Sequence, residues 1–169
     1  VIVDIIAKLS KETLNVVLIG MAGCGKSTVG KLLAEMTGRE FIDTDLEIEK
    51  RENRDIPTIF KDSGEAYFRA VERAVLKDVG KLTGKIISTG GGVVKDVENL
   101  FPLKSNGVII WLKRDVNKLV TENRPLSKDL ETVQKLYAER KALYESFADF
   151  SVMNNGDIMD AVKGVMEKV

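Results

Sequence analysis

The feature that most constrains the fold is a phosphate-binding loop at residues 20–28, which read Gly-Met-Ala-Gly-Cys-Gly-Lys-Ser-Thr and fit the pattern G-x-x-x-x-G-K-[ST]. An apolar, strand-like run at 16–19 precedes the loop, and apolar residues at helical spacing follow it. This order brings backbone N–H groups and the positive end of a helix to phosphate oxygens. In this motif Lys26 reaches the β- and γ-phosphates, and the hydroxyl of Ser27 holds Mg²⁺.

We therefore predict that the loop binds a nucleotide. The residues expected to do so are Gly20, Met21, Ala22, Gly23, Cys24, Gly25, Lys26, Ser27 and Thr28. A chance glycine turn before a helix is the alternative, which the Lys-Ser-Thr ending and the flanking pattern disfavour.

Composition narrows the classes of protein that fit this chain. Its 169 residues suggest one domain, and 26 basic residues balance 26 acidic ones, so the basic excess of a nucleic-acid-binding protein is missing. The sequence has no histidine, so any general acid or base must be a carboxylate, a lysine or a tyrosine. Cys24 is the only cysteine, which excludes an internal disulfide and favours a reducing, cytoplasmic compartment. No apolar run reaches membrane-spanning length, and the apolar start lacks the basic leader of a signal peptide.

Apolar runs alternate with amphipathic stretches, a pattern typical of an α/β domain with a parallel sheet covered by helices. The predicted strands are 15–19, 40–43, 85–89, 107–112 and 150–153. The predicted helices are 26–37, 45–52, 56–61, 64–82, 131–147 and 157–168, with a further one over 1–12 that has Ile2, Ile5, Ile6 and Leu9 on one face. Ligands of such folds bind beyond the carboxyl ends of the strands. We expect the active site where the phosphate loop, residues 43–45 and residues 90–92 meet.

Two other phosphate-loop classes are disfavoured by missing elements. Guanine-specific switches carry Asn-Lys-x-Asp, whereas Asn117-Lys118-Leu119-Val120 has valine at the place of the aspartate. Motor and transport ATPases carry an apolar strand that ends in an acidic pair, and neither 86–89 nor 108–112 ends that way. A short chain without these elements favours a small-molecule kinase.

Asp43 and Asp45 flank a single residue just after an apolar pair. On an extended chain, residues two apart point the same way, so both carboxylates are expected to face the phosphate edge. One would support Mg²⁺ through water, and the other would accept a hydrogen bond from a substrate hydroxyl. Capping of the following helix by Asp43 or Thr44 is the alternative, but it accounts for one acid rather than two.

The run Gly90-Gly91-Gly92 is costly in conformational entropy unless the backbone must approach something closely. We therefore expect these glycines to contact a ligand. The alternative is a tight turn, for which one or two glycines usually suffice.

Three arginines stand in segments that a kinase could use. Arg69 lies three residues before Glu72 on a predicted helix, so Glu72 can pair with it and orient it. Arg140, on another predicted helix, fits a solvated helix face equally well. Arg124 lies in a polar segment that is typical of a loop closing over nucleotide phosphates.

Taken together, these residues resemble the shikimate kinase family in a match that extends from about Asn15 to the end of the chain. The match rests on ordered motifs, namely Gly20–Thr28, Phe41-Ile42-Asp43-Thr44-Asp45, Ile56-Pro57-x-Ile59-Phe60, Gly64-Glu65-x-x-Phe68-Arg69-x-x-Glu72, Ser88-Thr89-Gly90-Gly91-Gly92, Arg124-Pro125-Leu126 and Arg140-x-x-Leu143-Tyr144. Related gluconate kinases share the loop but not the triple glycine with this arginine set.

The resemblance implies transfer of a phosphoryl group from ATP to the 3-hydroxyl of shikimate, with Mg²⁺ as the metal cofactor. It implies a P-loop nucleoside monophosphate kinase-like fold, whose five-stranded parallel sheet has the order 2-3-1-4-5. By position it assigns catalysis to Lys26, Asp45 and Arg124, nucleotide binding to the loop, Arg124 and, loosely, Asn155, and Mg²⁺ to Ser27 and Asp43. It assigns the acceptor to Asp45, Arg69, Gly90, Gly91, Gly92 and Arg140, with the carboxylate on Arg69 and Arg140.

The resemblance also implies a single kinase domain over 15–169, with a short lid around 114–130, and leaves 1–14 as an N-terminal extension. A second basic lid residue, common in the family, has only Lys118 as a candidate. We expect a cytoplasmic monomer that acts on a small molecule, without a nucleic-acid or membrane partner. Two alternatives stay open: a non-catalytic nucleotide-binding module of the same fold, and a kinase for another small hydroxylated acid.

Overall fold

One parallel sheet forms the centre of the computed structural model, which describes residues 1–119 and 130–169 apart from the side chain of Ser10. In these ranges the strands are β1 (Asn15–Ile19), β2 (Phe41–Asp43), β3 (Ile86–Ser88), β4 (Gly107–Lys113) and β5 (Phe150–Met153). They lie in the order β2-β3-β1-β4-β5, and every neighbouring pair is parallel. The predicted fold class and strand order are confirmed.

Helices cover this sheet. Those in the described residues are α1 (Ile2–Thr13), α2 (Lys26–Thr37), α3 (Thr44–Glu52), α4 (Ile56–Val79), α5 (Leu100–Lys104), α6 (Val116–Leu119), α7 (Leu130–Phe147) and α8 (Ile158–Met166). α2 packs against β3 and α8, and α7 packs against β4. The central strands are consequently buried on both faces.

Continuous apolar runs in the central strands meet the requirement of a parallel sheet that is covered on both sides. The strand residues without exposed surface are Val17, Leu18, Ile19, Ile86, Ile87, Ile109 and Ile110. Because the strands are parallel, the carboxyl ends of β1, β2 and β3 share one edge. The phosphate loop, Asp43 and the triple glycine all begin at that edge.

The helices differ from the prediction in three places, one of which is the short helix α6, for which no element was predicted. The helices predicted over 56–61 and 64–82 form one element, α4, with a break at Gly64, whose φ of 84° and ψ of 170° are not helical. The segment 93–104, for which no element was predicted, contains two 3₁₀ turns and α5. Asp96 stabilises the second turn, because its carboxylate accepts a hydrogen bond of 3.0 Å from the backbone N–H of Glu98.

The helix predicted over 1–12 is present as α1, and its large apolar side chains stay largely exposed, from 53% for Ile5 to 78% for Val3. The end of α1 is attached to the domain. The carbonyl of Thr13 accepts hydrogen bonds from the backbone N–H of Gly84 at 2.8 Å and from the side-chain amide of Asn106 at 3.1 Å. Within the described ranges, no helix has both the length and the apolar character needed to cross a membrane.

Candidate active site

The phosphate loop joins the end of β1 to the first residue of α2, so the free backbone N–H groups of the first turn of α2 border the loop. Gly25 is the N-cap of α2 and has a left-handed conformation, with φ 98°. A Cβ atom at Gly25 would lie 2.5 Å from Nδ2 of Asn154. The same Nδ2 donates a 2.8 Å hydrogen bond to the carbonyl of Cys24, which is buried. Asn154, the residue after β5, therefore holds the phosphate loop through the carbonyl of Cys24.

Lys26 is buried within the loop, and only 8% of its surface is exposed. Its ammonium group donates hydrogen bonds to the carbonyls of Gly20 at 2.7 Å and Met21 at 3.0 Å. A longer contact of 3.8 Å joins the ammonium to Sγ of Cys24, and Lys26 forms no salt bridge to a carboxylate among the described residues. Its full positive charge is thus available to phosphate oxygens at the loop.

Asp43 uses its two carboxylate oxygens for two different contacts. Oδ1 caps α3, because it accepts hydrogen bonds from the backbone N–H groups of Asp45 at 3.0 Å and Leu46 at 3.4 Å. Oδ2 accepts a 3.0 Å hydrogen bond from the hydroxyl of Ser27. The capping alternative is therefore correct for Asp43, and it coexists with contact to the predicted metal-binding serine.

Asp45 lies in the first turn of α3 and not on an extended chain. The geometric reason given for its orientation is therefore wrong, since β2 ends at Asp43 and the helix begins one residue later. Both carboxylates nevertheless line one cleft of about 200 Å³, together with Lys26, Ser27 and the first two glycines of the run. Burial, followed by the negative charges of Asp43 and Glu72, raises the pKa of Asp45 to about 6.

The run 90–92, called here the glycine turn, lies against three of the predicted functional side chains. A Cβ atom on Gly90 would come within 2.7 Å of Oδ1 of Asp45. One on Gly91 would come within 3.4 Å of Nη1 of Arg140, and one on Gly92 within 2.5 Å of Nη2 of Arg69. A side chain at position 90 or 92 would thus collide with Asp45 or Arg69, whereas at position 91 the tightest neighbour is the backbone nitrogen of Ala22, 3.2 Å from such a Cβ atom. Contact with a ligand stays a prediction.

Arg69 is held in a fixed orientation on α4. Its Nη1 donates a 2.8 Å hydrogen bond to Glu72, which is almost fully buried, and the guanidinium carbon lies 5.1 Å from the ring centre of Phe68. Burial raises the pKa of Glu72, and the bond from Arg69 opposes that rise. The predicted orientation of Arg69 by Glu72 is present.

Arg140 reaches the glycine turn from a second helix, α7. The two arginines therefore approach neighbouring glycines, Arg140 at Gly91 and Arg69 at Gly92. Two guanidinium groups at one turn, next to the carboxylate of Asp45, form a site with both anion-binding and proton-accepting groups.

Two other predicted residues lie elsewhere or outside the described part of the chain. The side-chain oxygen of Asn155 accepts a 2.7 Å hydrogen bond from the backbone N–H of Asp115, and its carbonyl accepts one of 2.7 Å from the ammonium of Lys118. Neither Asn155 nor Lys118 lines the cleft described above. Arg124 and most of the predicted lid fall in 120–129, outside the described residues.

Three polar residues at the site have no role in the sequence-based prediction. Ser88 and Thr89 are buried at the end of β3 and line the cleft, where the hydroxyl of Ser88 lies 3.5 Å from that of Ser27. Tyr144 is fully buried, and its hydroxyl donates a 2.5 Å hydrogen bond to the carbonyl of Gly91. The available signal was spacing, because Arg140 and Tyr144 stand four residues apart on one helix face.

A family model for shikimate kinase matches residues 22–169, which is most of the chain. The chain belongs to the shikimate kinase family. Shikimate kinase from Clostridium botulinum (strain Eklund 17B / Type B) is 39% identical over 160 residues, which cover 92% of this chain and 96% of that one.

Solved structures of the family are similar as well. The shikimate kinase from Acinetobacter baumannii in complex with shikimate has a TM-score of 0.87 and 32% identity, with 96% of each chain covered. Shikimate kinase from Aquifex aeolicus has a TM-score of 0.80 and 36% identity, with 92% of this chain and 95% of that one covered. Family and fold agree with the resemblance inferred from the ordered motifs.

Proposed function

We propose that this chain transfers the γ-phosphoryl group of ATP to the 3-hydroxyl of shikimate and so forms 3-phosphoshikimate and ADP. The observation that carries the proposal is the convergence of Asp45, Arg69 and Arg140 on the glycine turn, beside the phosphate loop. A hydroxylated carboxylic acid needs this combination: cations for its carboxylate and a carboxylate for its reacting hydroxyl. The similarity to a shikimate kinase solved with shikimate supports the choice of acceptor.

The donor side follows from the loop. Backbone N–H groups at the start of α2 and the ammonium of Lys26 bind the β- and γ-phosphates, and the family uses ATP as the phosphoryl donor. Phosphoryl transfer passes through a loose transition state, so these groups act by positioning and by stabilising charge. The carbonyls of Gly20 and Met21 hold Lys26 in place until phosphate oxygens compete for its protons.

Ser27 and Asp43 fit a Mg²⁺ ion. The hydroxyl of Ser27 donates a 3.0 Å hydrogen bond to Asp43, which leaves the lone pairs of the Ser27 oxygen free for a cation. No group of three or more acidic or thiol side chains in the described residues could hold a metal alone. A site of one hydroxyl and one carboxylate suits Mg²⁺, because this ion keeps several waters and binds through phosphates and one or two protein oxygens. When bound, the ion neutralises charge on the transferring phosphates.

Asp45 orients the acceptor hydroxyl and takes its proton late in the transfer. With its pKa raised to about 6, the carboxylate is mostly ionised at neutral pH and yet more basic than an ordinary aspartate. Arg69 and Arg140 bind the carboxylate of the acceptor, because a guanidinium group matches a planar carboxylate with two parallel hydrogen bonds. The remaining part of the acceptor ring lies along the glycine turn.

The domain boundaries, the lid, the oligomeric state and the compartment are proposed on the same basis. Residues 15–169 form the kinase domain, and residues 1–14 are an extension whose end is attached near Gly84. Arg124 acts at the nucleotide phosphates within a lid around 114–130, and Asn155 lies on the adenine side. The protein acts as a cytoplasmic monomer on a small-molecule acceptor.

The deciding experiment measures ADP release from ATP and Mg²⁺ with shikimate, quinate, gluconate or no acceptor. We expect release that depends on shikimate and is much weaker with the other two acids. A rate that is the same without any acceptor would identify an ATPase, and no release with any acceptor would identify a non-catalytic nucleotide-binding module. A preference for gluconate or quinate would identify a kinase for another hydroxylated acid.

A further inference from the structure

A tyrosine from α7 holds the middle of the glycine turn. The carbonyls at the two ends of the turn are bound locally, since Gly90 accepts a 3.2 Å hydrogen bond from the backbone N–H of Val93 and Gly92 accepts one of 3.0 Å from Lys95. The carbonyl of Gly91 instead accepts a 2.5 Å hydrogen bond from the hydroxyl of Tyr144, a residue 53 positions further along the chain. The orientation of the central peptide therefore depends on a long-range side chain.

Gly91 also lies between the phosphate loop and Arg140. A Cβ atom on Gly91 would lie 3.2 Å from the backbone nitrogen of Ala22 in the phosphate loop and 3.4 Å from Nη1 of Arg140. The Gly91 peptide therefore borders the guanidinium of Arg140, and a change in its orientation would alter the surface next to that arginine. Holding this carbonyl thus fixes the surface on which the acceptor lies.

Tyr144 is well suited to this task because its own position is determined by packing. The side chain has no exposed surface, and its ring stacks on Trp111 with centroids 5.6 Å apart. Burial raises the pKa of Tyr144 to about 12, against the opposing effects of the positive charge of Arg140 and of a hydrogen bond between that side chain and the hydroxyl. The hydroxyl therefore keeps its proton at neutral pH and stays a donor to Gly91.

We infer that Tyr144 is a positioning residue for acceptor binding, which fixes the carbonyl of Gly91 and with it the place of Arg140 at the glycine turn. Tyr144 acts through Gly91 and Arg140 and not on the reacting atoms. This inference rests on the proposed function, because the acceptor in question is the one whose carboxylate Arg140 binds. Its consequence is a selective effect on the acceptor, with ATP binding and the transfer step spared.

The test is the substitution Tyr144→Phe, which keeps the ring and its stacking on Trp111 and removes the hydroxyl, with its hydrogen bonds to the carbonyl of Gly91 and to Arg140. Kinetics are measured with shikimate varied at saturating ATP, and with ATP varied at saturating shikimate. Loss of the neutral hydrogen bond to Gly91 alone predicts a rise of at least about three- to tenfold in the KM for shikimate, with kcat and the KM for ATP changed by less than about twofold. Tyr144→p-aminophenylalanine, which restores a donor at the same place, should bring the KM for shikimate back towards that of the wild type.

The matched control is Phe147→Leu, because Phe147 is buried on the same helix and only 2% exposed. This variant should lower Tm and leave the KM for shikimate unchanged. An unchanged KM in Tyr144→Phe, an equal rise in both variants, or a loss confined to kcat would overturn the inference. A wild-type protein that does not phosphorylate shikimate would instead overturn the proposed function. Should Tyr144→Phe fail to fold, Tyr144→p-fluorophenylalanine, which keeps the ring and has no donor, takes its place, and a KM for shikimate equal to that of the wild type in this variant would overturn the inference.

Discussion

The backbone of Gly92 lies directly against the guanidinium group of Arg69: a Cβ atom on Gly92 would stand 2.5 Å from Nη2 and 2.8 Å from Nη1. Gly92 has a φ of −94°, which any residue can adopt, so space and not conformation requires glycine here. On its other side the same guanidinium is bound to the buried carboxylate of Glu72 at 2.8 Å. Arg69 is therefore confined between a glycine and an acid.

We predict that Gly92→Ala weakens acceptor binding by displacing Arg69. A lost charge-assisted hydrogen bond is worth about 1.5–3 kcal/mol, so the dissociation constant of shikimate should rise by roughly ten- to a hundredfold. Titration calorimetry with shikimate measures this directly, and ATP affinity should barely change. The control is Gly156→Ala, because a Cβ atom at Gly156 meets nothing within 4 Å. If Gly92→Ala binds shikimate as tightly as the wild type does, Arg69 does not bind the acceptor.

Substitution of each arginine by lysine should also weaken shikimate binding, although the charge is kept. Lysine offers a point charge and loses the bidentate geometry, so Arg69→Lys and Arg140→Lys should each raise the dissociation constant of shikimate by about tenfold or more. If both residues bind one carboxylate, as proposed, the double variant should lose less than the sum of the single losses. Arg51→Lys, in an exposed ion pair with Asp78, is the control and should have no effect. Strictly additive losses would indicate two separate ligand groups.

These contacts mark the limit of what the sequence alone allowed. The order of the strands and the phosphate loop were predictable, because motifs and apolar runs are local and the ordered motifs point to a known family. Asp45 was assigned to the site for a wrong reason, since the start of α3 depends on capping by Asp43. The hydrogen bond from Tyr144 to Gly91 joins residues 53 positions apart, and no local pattern encodes such a pairing.

The raised pKa of Asp45 predicts a dependence of activity on pH. As pH falls through about 6 the carboxylate becomes protonated and can no longer accept the hydroxyl proton, so kcat/KM for shikimate should decline on this acidic limb. Asp45→Asn should lower kcat far more than it lowers nucleotide affinity, and its residual rate should lack that limb. Rates between pH 5 and 8 with both proteins provide the measurement. Weakened nucleotide binding with normal turnover would place Asp45 on the metal side.

The same pKa predicts that Asp45 costs stability at neutral pH. Its pKa rises on folding from 3.8 to about 6, so the folded state binds the proton more tightly than the unfolded chain. The free energy of unfolding should fall as pH rises between those values, by at most about 3 kcal/mol. Asp45→Asn should therefore raise Tm more at pH 8 than at pH 4.5. Asp160→Asn, at an exposed position on α8, is the control. An increase in the Tm of Asp45→Asn that is equal at both pH values would contradict the prediction.

Lys26 should be indispensable for transfer, because its ammonium is a buried cation of the phosphate loop, held there by the carbonyls of Gly20 and Met21. Removing one group that stabilises the transition-state charge costs about a hundredfold or more in kcat, so Lys26→Ala should lose at least that. Lys31→Ala, five residues along α2 and exposed, should keep full activity and separates a local effect from a loss of charge in general. Circular dichroism and Tm establish that Lys26→Ala is folded before ADP release is measured. A folded Lys26→Ala protein with turnover near that of the wild type would mean that the phosphate loop is not where the chemistry takes place.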